Sequence, residues 1–174
     1  LGALEVDGAG NVNASRRGEG VRGFVGPGGF PDFATAADTI VFVCGWMRGG
    51  EIRLADGRVT VARHGRPKFV ERVREVTFDA ARARRRGKTV FYATHVGLLR
   101  LGERGLELVS AAPGIDVRRD ITGFATAAIA LPPGRLRCGV VTRFRDLQPD
   151  CAEAVGEVGG LLAQLGHHVE EAYP

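Results

Sequence analysis

The hydrophobic pattern breaks the chain into short segments. Thr39–Cys44 is a continuous apolar, β-branched run, which predicts a buried strand. Glu51–Ala55 and Arg58–Ala62 instead alternate, with Ile52, Leu54, Val59 and Val61 separated by polar residues. Between them Asp56-Gly57 supplies the positive φ angles of a two-residue hairpin turn. Gly97–Leu101 and Leu106–Val109 form a second hairpin around Glu103-Arg104-Gly105. Leu4–Val6, Arg74–Phe78 and Thr89–Thr94 read as further strands. Ala80–Arg86 reads as a helix stopped by Gly87, and Asp32–Ala37 as one helical turn or slightly more. Asp116–Gly123 has the pattern of a helix start, and Gly8 to Gly29 is dominated by loop.

Leu131-Pro132-Pro133-Gly134 is a boundary by composition, dividing the chain into residues 1–130 and 131–174. Beyond it Leu136–Thr142 reads as a strand. Asp150 and Glu153 then form a capping-box pattern ahead of Val155, Val158, Leu161, Leu162 and Leu165 at helical spacing. Gly166 ends that helix, and His168–Ala172 starts another strand. The predicted fold class is α/β: a mixed open sheet with hairpins, followed by a β-α-β tail with a right-handed crossover.

Composition narrows the setting. The 174 residues suffice for a real core, and 44% hydrophobic with 25% charged residues is ordinary for a globular protein. No apolar run reaches the ~20 residues of a membrane-spanning helix, so no membrane partner is expected. The net charge of +4 brings nucleic acid into consideration. Of the 24 basic residues, however, only Lys68 and Lys88 are lysines, which looks as much like a coding bias as a binding signature. The densest cluster (Arg82, Arg84, Arg85, Arg86 and Lys88) has no interleaved aromatics, so nucleic acid is not an expected partner and a solvated helix end is the reading. Cys44, Cys138 and Cys151 are odd in number and widely spaced, which fits neither a disulfide framework nor a CxxC site and points to a reducing cytoplasm. His64 and His167-His168 lack metal-ligand spacing, and no metal is expected.

The candidate chemistry lies early in the chain. In Gly26-Pro27-Gly28-Gly29-Phe30-Pro31-Asp32 the glycines let a ligand approach main-chain N–H groups, Pro27 stiffens the loop, and Pro31-Asp32 can open a helix. Such a loop suits an anionic or oxyanionic ligand; it is also what a tight surface turn looks like. Upstream, Asn11 and Asn13 stand in a Gly/Asn turn where their amides either orient a ligand or bond to their own backbone. The candidate binding residues are therefore Gly26, Pro27, Gly28, Gly29, Asn11 and Asn13, with Gly28 and Gly29 foremost.

Taken in order, "ALEVDGAGNVNAS", "GPGGFPD" and "TIVFVCGWMRGG" resemble the C-terminal half of family I acyl-CoA:carboxylate CoA-transferases. The likeness continues through Lys68-Phe69-Val70-Glu71, Val90-Phe91-Tyr92-Ala93-Thr94 and Ala112-Pro113-Gly114-Ile115-Asp116, covering about residues 3–122. It implies transfer of CoA between an acyl-CoA and a short-chain carboxylate, with the CoA thioester as substrate and no separate cofactor. In such enzymes a glutamate attacks the thioester, passing through an acyl–glutamyl anhydride to a glutamyl–CoA thioester. The glycine loop would face the oxyanion or hold the pantetheine arm, and the Arg82–Lys88 cluster is a lesser candidate for the phosphates of CoA. Relatives assemble from repeated α/β halves, so a homo-oligomer is expected of a full-length protein.

The family's glutamate lies in a Glu-x-Gly motif upstream of the part matched by Leu1. Neither Glu5 nor Glu19 fits that motif, so no catalytic residue is assigned and this chain reads as a fragment, inactive alone. His95 departs from the Glu that relatives often carry there. Residues 134–174 resemble a segment of amidase-signature hydrolases from downstream of their catalytic residues; with no Ser after Ser110, no Ser nucleophile carries over. The alternatives are a non-catalytic or decayed binding module and an amidase fragment.

Overall fold

The structure, a computed structural model, describes residues 1–131, 137–140 and 168–171. The chain divides into two compact units, Leu1–Leu131 and Pro132–Pro174. In the first, the elements are β1 (Glu5–Asp7), β2 (Val12–Asn13), α1 (Phe30–Ala36), β3 (Thr39–Val43), β4 (Met47–Arg48), β5 (Glu51–Ala55) and β6 (Arg58–Arg63). There follow β7 (Arg66–Pro67), β8 (Phe69–Val70), α2 (Ala80–Arg85), β9 (Thr89–Thr94), β10 (Gly97–Leu101), β11 (Leu106–Ala111), a π-type turn (Val117–Thr122) and β12 (Ile129–Ala130).

The main sheet has the order β12-β11-β10-β9-β3. Its centre is antiparallel, and both edges are parallel additions, β3 beside β9 and β12 beside β11. A smaller sheet, β2-β1-β8, carries the start of the chain. This is the mixed α/β arrangement with hairpins that the sequence predicts. Asp56 (φ 52°) and Gly57 (φ 66°) make the β5–β6 turn, and Asp79 caps α2 by accepting from Arg82 N at 2.9 Å.

Aromatic packing ties α1 to the sheets. Phe42 of β3 lies 5.8 Å from Phe30, 5.4 Å from Tyr92 and 5.1 Å from Phe78, measured between ring centres. Trp46, fully buried, packs 4.6 Å from Phe69, and its indole N–H donates to the main-chain oxygen of Asp120 at 2.9 Å. Trp46, Tyr92, Phe42 and Phe69 are the largest fully buried side chains of the unit, and rings of this size bury large apolar areas on folding.

Two expectations need correction. Thr39–Cys44 is not buried on both faces: β3 is an edge strand, with Ile40 and Phe42 inside while Val41 is 42% and Val43 65% exposed. An apolar run reads alike whether one face or both are covered. Arg74–Phe78 is not a strand. Only a single bridge joins Phe78 to Val12, because Arg74 and Glu75 turn aside to pair with Glu5 and Arg16.

In the second unit, β13 (Arg137–Val140) pairs in parallel with β14 (His168–Glu171), as a strand-crossover-strand unit requires. The helix expected from Asp150 to Gly166 lies outside the described residues.

Candidate functional site

β1 and β2 are joined by a turn built on one carboxylate. Asp7, buried, accepts from Ala9 N (3.1 Å), Asn11 N (3.0 Å) and Asn11 Nδ2 (3.1 Å). Asn11 Oδ1 in turn accepts from Ala80 N at 3.0 Å, tying the turn to the start of α2. Tyr92 donates its hydroxyl to Gly10 O at 2.6 Å. Burial, with Asp7 adding to it, pushes the Tyr92 phenol far above its ordinary range, so it remains a donor. Gly10 (φ 91°) is there because a Cβ would stand 2.5 Å from Leu101 Cδ1 and 2.8 Å from Tyr92 Oη.

Asn13 is fully buried and fully engaged. Its amide donates to Glu5 Oε2 (2.9 Å) and Arg16 O (2.7 Å), and its oxygen accepts from Ser15 N (3.1 Å) and Arg16 N (2.9 Å). The side chains of Asn11 and Asn13 thus hold the chain's own backbone, the second of the two roles open to them in the sequence. Glu75 continues the lattice, accepting from Ser15 Oγ at 2.7 Å and Arg16 Nε at 2.9 Å.

From Arg16 the chain closes on itself. Arg17 N donates to Gly23 O, and Val25 N to Ser15 O, both at 2.7 Å. This knot launches Gly26-Pro27-Gly28-Gly29 into solvent. Gly26 (φ 75°) and Gly28 (φ 55°) adopt left-handed backbone, and Gly29 leads directly into α1. A Cβ at Gly28 would meet nothing within 4 Å, and one at Gly26 only the edge of Phe24 at 4.0 Å. The amides of Gly26, Gly28 and Gly29 donate to no acceptor among the described residues. Pro27 and Gly29 line a cleft of about 440 Å³ with Leu1–Leu4, Ala14, Phe30 and Phe33. Its walls are apolar and carry no ionisable side chain.

The sequence reading missed these walls, although Phe30 and Phe33 stand one helical turn apart, the spacing of a shared face. It also missed what distinguishes the two lysines. Lys68 Nζ donates to Ala3 O at 2.7 Å, and Lys88 Nζ to the carbonyls of Thr35 and Ala37. Both act as compact donors to main chain. Burial pulls the Lys68 ammonium below its ordinary range, and burial pushes up the nearby Cys44 thiol. His95 is a weak partner of the core, its Nδ1 3.5 Å from Trp46 N. Among the described residues no three metal-ligating side chains gather, and no helix is long and apolar enough to cross a membrane.

Comparison with known proteins shows what the chain resembles. No protein-family model matches the chain. The acetate CoA-transferase YdiF of Escherichia coli O157:H7 is 36% identical over 124 residues, 70% of this chain and 23% of that protein. Caffeate CoA-transferase of Acetobacterium woodii is 32% identical over 125 residues, 70% of this chain and 24% of that protein. The crystal structure of the YdiF apoenzyme from E. coli O157:H7 superposes with a TM-score of 0.70 at 30% identity, covering 76% of this chain and 25% of that one. Glutaconate coenzyme A-transferase from Acidaminococcus fermentans, at 17% identity and a TM-score of 0.53 over 90% of this chain and 56% of its own, shares the fold. The chain spans about a quarter of the length of the curated relatives it matches. Over 124 and 125 residues respectively, this chain is thus similar to about a quarter of the acetate and of the caffeate CoA-transferase.

Proposed function

We propose that this chain is the thioester-cradling part of an acyl-CoA:carboxylate CoA-transferase whose attacking glutamate lies outside it. The observation that carries the reading is the loop Gly26-Pro27-Gly28-Gly29: three amides without an acceptor among the described residues, in a loop whose Pro27 and Gly29 line an apolar cleft. When a carboxylate adds to a thioester, the carbonyl π electrons move onto oxygen. Main-chain N–H donors fixed beforehand stabilise that charge without reorganising. Collapse of the adduct expels CoA as thiolate and leaves an acyl–glutamyl anhydride. The thiolate then attacks the glutamyl carbonyl, freeing the acyl carboxylate and forming the glutamyl–CoA thioester. The second carboxylate enters by the reverse of these steps.

In this division of labour Gly28 and Gly29 bind the oxyanion or the pantetheine amides, and Phe30 and Phe33 shield the cleft. Asn11 and Asn13 hold the frame. CoA thioester is substrate rather than cofactor, and a small carboxylate is the acceptor. The full-length enzyme would be a cytoplasmic homo-oligomer.

The non-catalytic reading draws on the same cleft, which holds no carboxylate among its lining residues. The two readings agree on binding and differ on turnover of the complete protein. Acetyl-CoA titrated into this chain should bind saturably, and Gly28→Val should weaken it at least tenfold with an unchanged circular dichroism spectrum. CoA exchange by this chain alone should be undetectable. Measurable turnover would place a nucleophile inside the chain and overturn the assignment.

A further inference from the structure

Leu1–Leu4, which line part of the glycine cleft, are pinned along their length. The Leu1 ammonium donates to Val41 O at 2.9 Å and Val43 N donates to Leu1 O at 2.8 Å, so this residue pairs with the edge of β3. Ala3 O accepts from Lys68 Nζ at 2.7 Å, and Leu4 N donates to Asn13 O at 2.8 Å. The rest of the lining comes from Ala14, the glycine loop and α1. Within α1 the two rings differ. Phe30 is buried and stacks on Phe42, which makes it core. Phe33 is 66% exposed, and its ring edge lies against the loop: a Cβ on Gly29 would stand 3.4 Å from Phe33 Cε2. An open phenyl ring thus borders a glycine whose amide has no acceptor among the described residues.

Main-chain donors recognise the oxygen of a thioester, not what its carbonyl carbon carries. That carbon also bears the sulfur of the CoA arm and the acyl group. With the oxygen at Gly28 and Gly29, one of these enters the cleft that Gly29 lines. The arm carries amide groups, which lose free energy in a cavity whose side chains are all hydrocarbon. An alkyl chain gains there. The volume bears on its length. A water's share of the liquid is about 30 Å³, so an acetyl methyl, of similar size, would leave most of the 440 Å³ empty. A longer chain would also cover the apolar surface that Phe33 and Leu1 leave in water.

We propose that the glycine cleft selects the acyl group, taking an apolar chain of medium length, hexanoyl to octanoyl, with Phe33 as the specificity-determining side chain. Such a chain is longer than the short one that the resemblance implies. The proposal rests on the reading that Gly28 and Gly29 face the thioester oxygen. A hydroxyl at the far end of the chain is disfavoured, because no lining side chain offers it a partner.

The test is calorimetric titration of this chain with acetyl-, butyryl-, hexanoyl- and octanoyl-CoA. Each methylene taken out of water raises affinity about fourfold, so hexanoyl-CoA should bind at least twentyfold more tightly than acetyl-CoA. The ω-hydroxyhexanoyl thioester should bind at least fivefold more weakly than hexanoyl-CoA. Phe33→Ser should reduce the hexanoyl-to-acetyl affinity ratio at least fivefold. The ring is exposed, so the variant should fold, with circular dichroism as the check. Leu54→Ser removes an exposed apolar side chain on β5, outside the cleft, and should keep the parent's ratio. Acetyl-CoA binding with no gain beyond butyryl-CoA, a ratio unchanged in Phe33→Ser, or an equal fall in Leu54→Ser would each overturn this proposal and leave the reading of the loop standing. No saturation by any of the thioesters would overturn both. Self-association lost in Phe33→Ser, with affinity independent of chain length, would give the ring to a second copy of the chain and overturn the proposal as well.

Discussion

The two glycine-rich turns near the start of the chain look alike in sequence and behave oppositely in structure. Around Gly8–Asn13 the protein fills its own turn: Asp7 and the two asparagines bond the backbone, Tyr92 covers Gly10 O, and a Cβ at Gly10 would collide with two side chains. Around Gly26–Gly29 the space is open: a Cβ at Gly28 would meet nothing within 4 Å, one at Gly26 only Phe24 and one at Gly29 only Phe33. Gly26 and Gly28 serve the left-handed backbone, and no amide of the loop finds an acceptor among the described residues, while Pro27 and Gly29 line an apolar cleft. A turn that spends its donors internally is framework. A turn held rigid at its base by Ser15, Arg17, Gly23 and Val25, with donors left over, is free to meet a ligand.

That contrast predicts opposite outcomes for one substitution. Gly10→Ala adds overlap with Leu101 and Tyr92 to left-handed strain and should destabilise by about 3 kcal/mol or more. Gly28→Ala meets only the strain and should cost about 1–2 kcal/mol. Urea denaturation of the two variants reads the difference; equal losses would erase the distinction between framework and free loop.

Tyr92→Phe probes the filled turn more gently. It leaves Gly10 O buried without its donor and should cost about 1–3 kcal/mol, with no change in affinity for acetyl-CoA. Reduced affinity at full folding would mean the two turns are coupled.

The smallest effect is on acid stability. Burial alone would raise Glu5, but hydrogen bonds from Asn13 and from Arg74, whose charge adds to them, hold its carboxyl below the ordinary range. The ion-paired hydrogen bond from Arg119 does the same for Asp120, helped by Asp116 N and offset by burial. For carboxylates depressed in the folded state, the stabilisation is full above the unfolded pKa values and drains away as pH falls through the folded ones. The melting temperature should therefore drop below about pH 4, and Glu5→Gln should flatten that drop. An identical acid profile in the variant would mean that Glu5 contributes nothing.

Much of the frame was legible because it follows from local rules. The Asp56-Gly57 hairpin, the strand at Thr89–Thr94 and the helix from Ala80 depend on turn chemistry and periodicity close in sequence. The exposed face of β3 was not legible, since Val41 and Val43 read as core until the neighbouring strand is known. Arg74–Phe78 failed for a similar reason: its alternation is real, but Glu75 is spent on Arg16 from 59 residues away. Of the site, the glycine loop stood out in the sequence. That Asn11 and Asn13 are framework emerged only when Ala80 and Glu5 arrived from elsewhere in the chain.

The most direct test of the central claim is residue-resolved amide hydrogen exchange of Gly26, Gly28 and Gly29 with and without acetyl-CoA. The account predicts fast exchange in the free protein and at least tenfold slowing at saturation, with the amides of Ala9 and Asn11 unchanged. Exchange at Gly28 and Gly29 that stays fast with acetyl-CoA bound would contradict it.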